Sequence, residues 1–174
     1  MKLIAHAFAA LSLFAVGSPV IAGGGAPPQL HNKSVTVAWG ESNTWKRLSD
    51  GTLGSSTPSH ERVFYISSAG RPFVREKGKS GNYGQKVDVG PEMTSGRFTF
   101  SGNSMTNYMG REGLRWQITV RFDPSFNSCT TSVIVGKEGA VAKVTGMDGA
   151  PYEITGTSVG AATCSIKEGN ALAG

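Results

Sequence analysis

Few side chains in this sequence carry chemistry by type and spacing, and the two cysteines come first. Cys129 and Cys164 are the only ones in 174 residues. Neither belongs to a Cys-x-x-Cys pair, so a thioredoxin-like redox role has no support; in the oxidising compartment that the N-terminus below implies, two lone thiols are expected to pair with each other, the alternatives being a buried free thiol or an intermolecular bridge. A Cys129–Cys164 disulfide closes a loop whose chain entropy is worth roughly 3.5–4 kcal/mol. The second group is basic. Between residues 71 and 86 stand Arg71, Arg75, Lys77, Lys79 and Lys86 against the single acid Glu76. Gly78, Gly81 and Gly84 make this segment a loop, and Tyr83 adds an aromatic face for a sugar or base. Arg71, Arg75, Lys77, Lys79, Tyr83 and Lys86 therefore form a candidate docking loop for an anionic partner, an envelope component or an acidic protein. The competing reading is a solvated hairpin tip.

Catalytic and metal chemistry find little here, and the expectation is no catalytic residue, no metal and no cofactor. After the first 22 residues only His31 and His60 remain as histidines, and both read as ordinary surface residues. Gly102-Asn103-Ser104-Met105-Thr106 lacks the last glycine of a nucleophile elbow. Gly78-Lys79-Ser80 resembles the end of a P-loop, but Phe73 stands where that motif needs glycine. Zinc needs three or four closely spaced ligands, and calcium an acidic loop; neither pattern occurs. No pair of carboxylates is nominated for glycoside chemistry.

The N-terminus supplies the address. Met1-Lys2 is followed by an apolar stretch from Leu3 to Val16, a Gly17-Ser18-Pro19 break, and Val20-Ile21-Ala22 before Gly23. This is the pattern of a cleaved secretory signal over residues 1–22. The stretch of about 14 residues is short of the roughly 20 needed to span a bilayer, and no later segment approaches that length. Removing 22 of the 174 residues leaves 152, and losing Lys2 lowers the net charge from +5 to +4. That is one ordinary domain, 23–174, able to bury roughly 70% of its unfolded surface. Its charge is too low for a dedicated nucleic-acid binder, and no nucleic-acid signature is present. Export to the periplasm or the extracellular space makes NAD and ATP poor guesses.

The elements that must position these side chains are strands. Leu114, Trp116, Ile118, Val120 and Phe122 alternate with Arg115, Gln117, Thr119 and Arg121 until Asp123-Pro124. Nine residues of period two mean a strand with one buried face, and Pro124 cannot extend the ladder. Shorter runs surround it at Val35–Trp39, Arg62–Ser67, Phe73–Val74, Lys86–Val89, Phe98–Phe100, Met105–Met109, Cys129–Val135, Ala140–Thr145, Tyr152–Ser158 and Ala162–Lys167. Turns at Ser68-Ala69-Gly70-Arg71, Gly102-Asn103 and Asp148-Gly149 separate several of them. The expected fold is all-β: an antiparallel small barrel or sandwich of about eight to ten short strands with one disulfide. Residues 41–60 read as a long flexible connection, with a short helix near Ser42–Leu48, and Gly23–Pro28 and Gly169–Gly174 read as frayed ends. Trp39 and Trp116 fall on apolar strand faces, where they pack a core or line a cavity; Trp45 is expected to be the more exposed.

Lys33-Ser34-Val35-Thr36-Val37-Ala38-Trp39-Gly40-Glu41, Tyr65-Ile66-Ser67-Ser68-Ala69-Gly70-Arg71, Phe126-Asn127-Ser128-Cys129 and the late Cys164-Ser165 together resemble a group of small secreted bacterial β-rich proteins. That group has no assigned activity, so the resemblance implies bacterial export and no mechanism. The function expected is an exported, non-enzymatic binding module of the envelope or extracellular space. The alternatives are a secreted hydrolase and a small outer-membrane barrel. The last is disfavoured by short strands and by a Leu172-Ala173-Gly174 end without a terminal aromatic.

Overall fold

The computed structural model describes residues 25–76, 87–88, 97–111, 113–137, 142–146 and 148–172. The predicted signal segment 1–22 lies outside them, as do Lys77, Lys79, Tyr83 and Lys86. After a 3-10 turn at Pro28–Leu30, the described chain is built from strands: β1 (Lys33–Arg47), β2 (Leu53–Ser56), β3 (Ser59–Ile66), β4 (Pro72–Glu76), β5 (Val87–Asp88), β6 (Arg97–Ser101), β7 (Ser104–Arg111), β8 (Leu114–Phe122), β9 (Cys129–Lys137), β10 (Ala142–Thr145) and β11 (Pro151–Glu168). The predicted all-β antiparallel class is what the structure has. Two of the strands are much longer than the short runs anticipated.

The strands form two antiparallel sheets. One runs β10-β11-β1-β3-β4-β5, with β2 attached to β1, and curls into a half barrel; the other runs β6-β7-β8-β9. Between them lie Val35, Val37, Phe64 and Ile66 from the first sheet and Met105, Ile118, Val120 and Phe122 from the second. Seven of these eight are shielded from solvent completely and Phe122 nearly so. Burying a side chain of this size is worth about 1.5–3 kcal/mol, so this layer is the main source of stability. The alternation read from Leu114 to Phe122 is the inner row of β8, and the strand ends at Phe122 as Pro124 requires. Cys129 opposite Phe122 on β9 and Cys164 opposite Val37 on β11 are bonded, with Cα atoms 5.8 Å apart. The disulfide ties the edge of the smaller sheet to the larger one.

The predicted turns at Gly70 and Gly102 both sit at positive φ, +74° and +54°, where glycine has no Cβ to clash. The stretch 41–60 is corrected. It holds no helix at Ser42–Leu48; β1 continues unbroken to Arg47, β2 returns along it, and β3 begins at Ser59. Equally, Tyr152–Ser158 and Ala162–Lys167 are one strand, β11. It pairs with β1 from Lys33↔Glu168 to Arg47↔Tyr152 and takes up register shifts between Trp39 and Glu41 and between Thr44 and Trp45. Each shift places one extra residue on β11, a bulge that bends the ribbon while leaving it continuous. The ends are anchored further out than expected. Ala26 N–H donates to Gly70 O (3.2 Å), Ala171 N–H donates to Ser34 Oγ (2.9 Å), and Leu172 is buried.

Candidate functional site

The inner face of β1 continues its alternation past the apolar residues. Val35, Val37 and Trp39 are followed inward by Glu41, Asn43 and Trp45, and Glu41 and Asn43 are nearly as buried as the valines. At this point β1 changes neighbours. Its first half pairs with β3 as far as Gly40↔Ser59, and from Asn43 onward it pairs with β2. Glu41 N–H bridges the gap to Pro58 O at 2.9 Å. Where the ladder is handed over, the sheet opens and its inner row faces a cleft.

The cleft has a volume of about 1260 Å3. Its walls include Trp39, Trp45, Trp116, Leu114, Ile154 and Tyr152, and its floor includes Glu41, Asn43 and His60. The lining continues over Gly40 to Ala38 and Thr163 on the other face of the sheet, so this is an open mouth rather than a sealed chamber. Trp45 meets Tyr152 edge to face, with centroids 5.0 Å apart. Its indole also lies against Gly54, where a Cβ would come within 2.3 Å of the ring. Glycine at this position is therefore a packing requirement. Arg47 Nη2 and Tyr152 Oη both hold Asp148 Oδ2, at 2.9 and 2.8 Å, which fixes the rim. The hydrogen bond from Tyr152, with backbone N–H of Ala150 and the Arg47 charge, lowers the Asp148 carboxyl; the same bond raises the Tyr152 phenol.

A polar cluster lies beneath the aromatic walls. Asn43 Nδ2 donates to Glu41 Oε1 at 2.8 Å, and Trp116 Nε1 donates across from the opposite sheet to Glu41 Oε2 at 2.8 Å. Both oxygens of Glu41 thus accept, as a carboxylate does. His60 packs flat on Trp39, with centroids 4.9 Å apart and planes at 16°. Its Nε2 is 3.4 Å from Glu41 Oε2 and its Nδ1 is 3.6 Å from Glu76 Oε1. Arg62, two residues along the inner face of β3, donates to Glu76 Oε2 (2.8 Å) and to Asn107 Oδ1 (2.9 Å) and touches Met109 Sδ. Burial pushes the Glu76 carboxyl up, but hydrogen bonds and charge from His60 and Arg62 outweigh it and hold it at about 2. Burial likewise lowers the Arg62 guanidinium, opposed by the Glu76 charge and hydrogen bond. The result is two hydrogen-bonded groups, Asn43–Glu41–Trp116 and Glu76–Arg62–Asn107, each joining the two sheets, with His60 between their carboxylates.

Several expectations change against this geometry. His60 is not an ordinary surface residue: its side chain is 20% exposed and stands between two carboxylates. His31 is also engaged, with Nε2 3.1 Å from Ala26 O and the ring packed against Gly70. Trp39 and Trp116 are buried and also line the cleft, and Trp45, half-buried, is the most exposed of the three, as expected. Of the predicted basic loop, Arg71 sits in the turn before β4 and Arg75 on the outer face of β4 opposite Val63. Neither reaches the cleft, and the other four members lie outside the described residues.

Glu41, Asn43, Arg62, Glu76 and Asn107 were not singled out by the sequence reading. One signal was available. Trp39, Glu41, Asn43 and Trp45 keep the period of two set by Val35 and Val37, which marks polar side chains at inward positions. Comparison with known protein families, with curated proteins and with solved structures gave no match to this chain.

Proposed function

We propose that this protein is a non-enzymatic binding module that works outside the cytoplasm and takes a small, largely apolar ligand in the cleft at the β3-to-β2 handover of β1. The observation that carries this is the cleft itself: about 1260 Å3, walled by three tryptophans, a tyrosine and aliphatic side chains, over a few convergent polar groups. That composition is the usual one for a small-molecule site. The polar groups beneath it hold each other. Glu41 is engaged from both sheets, and Arg62 and Glu76 are paired. Side chains fixed in this way shape a floor and orient a ligand. The Cys129–Cys164 disulfide supports an oxidising compartment. The alternation favours this reading over an outer-membrane barrel. Trp116, Ile118 and Val120 point inward, while exposed Arg115 and Arg121 point outward, the reverse of a lipid-facing wall.

The test uses N-phenyl-1-naphthylamine, a neutral apolar fluorophore that also accepts energy from tryptophan. Its emission should rise saturably with one site per chain. Val144→Trp, which fills the cleft from β10, should abolish the response while leaving the far-ultraviolet circular dichroism unchanged. Binding that is unsaturable, or that survives Val144→Trp, overturns the reading.

A further inference from the structure

We infer that the cleft selects organic cations, specifically a primary ammonium carried on an aromatic or alkyl body. This rests on the cleft being a ligand site and names the chemistry of its occupant. The first observation is charge. The polar cluster holds two carboxylates, Glu41 and Glu76, against one guanidinium, Arg62. Arg62 is spent on Glu76 and on Asn107, and lies on the far side of His60 from Glu41. Among the described residues, the Glu41 carboxylate, whose side chain is 1% exposed, receives hydrogen bonds only from the neutral groups of Asn43 and Trp116. Among the described residues, two carboxylates against one guanidinium leave one unit of formal negative charge in excess beside the floor, where the low-dielectric walls spread its field into the mouth of the cleft.

The second observation is an unpartnered acceptor. Because both Glu41 oxygens accept, the amide of Asn43 must present its NH2 to Glu41, which turns its carbonyl oxygen the other way. That oxygen is itself shielded from solvent and has no hydrogen-bond partner among the described residues, and Asn43 lines the cleft, so a donor reaches it by a turn of the Asn43 side chain. It asks for a donor. The third is the wall. Trp45, Trp116 and Tyr152 offer π-systems, whose negative faces attract a cation and tolerate an apolar body. An ammonium with N–H groups meets all three demands at once. A carboxylate ligand would be repelled by the floor. A neutral alcohol would satisfy Asn43 but leave the charge uncompensated.

The remaining titratable groups at the cleft do not cancel this preference. Asp148 at the rim is negative and already held by Arg47, and Glu61 on the lining adds a further acid. His60 stands between Glu41 and Glu76 and is the one imidazole on the lining of the cleft among the described residues. Measurements are made at about pH 8, where an alkylammonium carries its charge.

The experiment is displacement of N-phenyl-1-naphthylamine from the full protein by three probes of one shape: 2-phenylethylammonium, 2-phenylethanol and phenylacetate. The cation should displace the fluorophore at least tenfold more tightly than the alcohol, and phenylacetate should be weakest. Glu41→Gln should erase the preference for the cation over the alcohol, each displacement being read against the fluorophore's own affinity for that variant. Should Glu41→Gln not fold, Glu76→Gln removes the same unit of charge from the half-exposed end of the cluster and should reduce the preference in the same sense. Equal displacement by alcohol and cation, preference for phenylacetate, or an unchanged preference in both variants overturns the inference and leaves the cleft reading standing. No binding of the fluorophore overturns both.

Discussion

Arg62→Met asks how much of this fold depends on the polar cluster. Methionine nearly matches the aliphatic length of arginine and is tolerated in apolar surroundings such as those near Met109. The change therefore removes the guanidinium with little loss of packing. What it leaves behind is Glu76 without its 2.8 Å partner and Asn107, almost fully buried, with no donor to its Oδ1. Removing one member of a buried pair costs about 3–5 kcal/mol. The Glu76 side chain is 34% exposed and can turn partly to water, which brings the expected loss to about 3 kcal/mol. With a urea m-value of about 1.5 kcal/mol/M, the unfolding midpoint at pH 7 should fall by about 2 M with no change in slope. The double variant Arg62→Met/Glu76→Met takes away both charges and should recover at least half of the loss, since replacing a whole buried pair by apolar groups is nearly neutral. A single variant within about 1 kcal/mol of the parent would refute the reasoning, as would a double variant less stable than the single.

Acid should weaken the protein through the same cluster. The Glu76 carboxyl is held at about 2 in the folded chain against an ordinary 4.5, so its contribution is complete above pH 4.5 and is lost as the pH falls toward 2. After discounting for its partial exposure this amounts to about 2 kcal/mol. Glu76→Gln should flatten that part of a stability-against-pH curve, and an unchanged slope below pH 4.5 would show the pairing to be weak in solution. Replacing Cys129 and Cys164 together by serine opens a span of 35 residues between two sheets and should cost about 3 kcal/mol, read as a lower midpoint in urea. A cost below about 1 kcal/mol would mean that sheet packing alone holds β9 against β11 in the unbridged chain.

Some of this molecule could be read directly from the residue order. The inner row of β8 was legible because Leu114 to Phe122 repeats with a period of two and has a proline stop, both local properties of the chain. The turns at Gly70 and Gly102 were legible because positive φ selects glycine. The disulfide needed only a count of two cysteines and an expected compartment. The far half of β1 was not read as strand. Glu41 and Asn43 occupy inward positions with polar side chains, and hydropathy scores such residues as a break. The residues 49–59 beyond them are rich in serine, glycine and proline and carry no alternation of their own. The runs Tyr152–Ser158 and Ala162–Lys167 read as two strands, yet in the folded protein they are one, and Gly160 between them lies beside Gly40 at a bulge.

The residue order by itself settled the all-β class, the buried alternation of β8, the turns at Gly70 and Gly102 and the two cysteines available for a bridge. Only the tertiary structure decided that Trp116 would reach across the core to Glu41, that His60 would stand between Glu41 and Glu76, and that the floor of a cleft would lie where β1 changes partners. The physical reason is range. Alternation and turn preference are fixed by each residue and its immediate neighbours, whereas the buried Glu41 carboxylate acquires its meaning from His60 and Trp116, 19 and 75 residues away in the chain. Those groups reach it only after the sheets have closed.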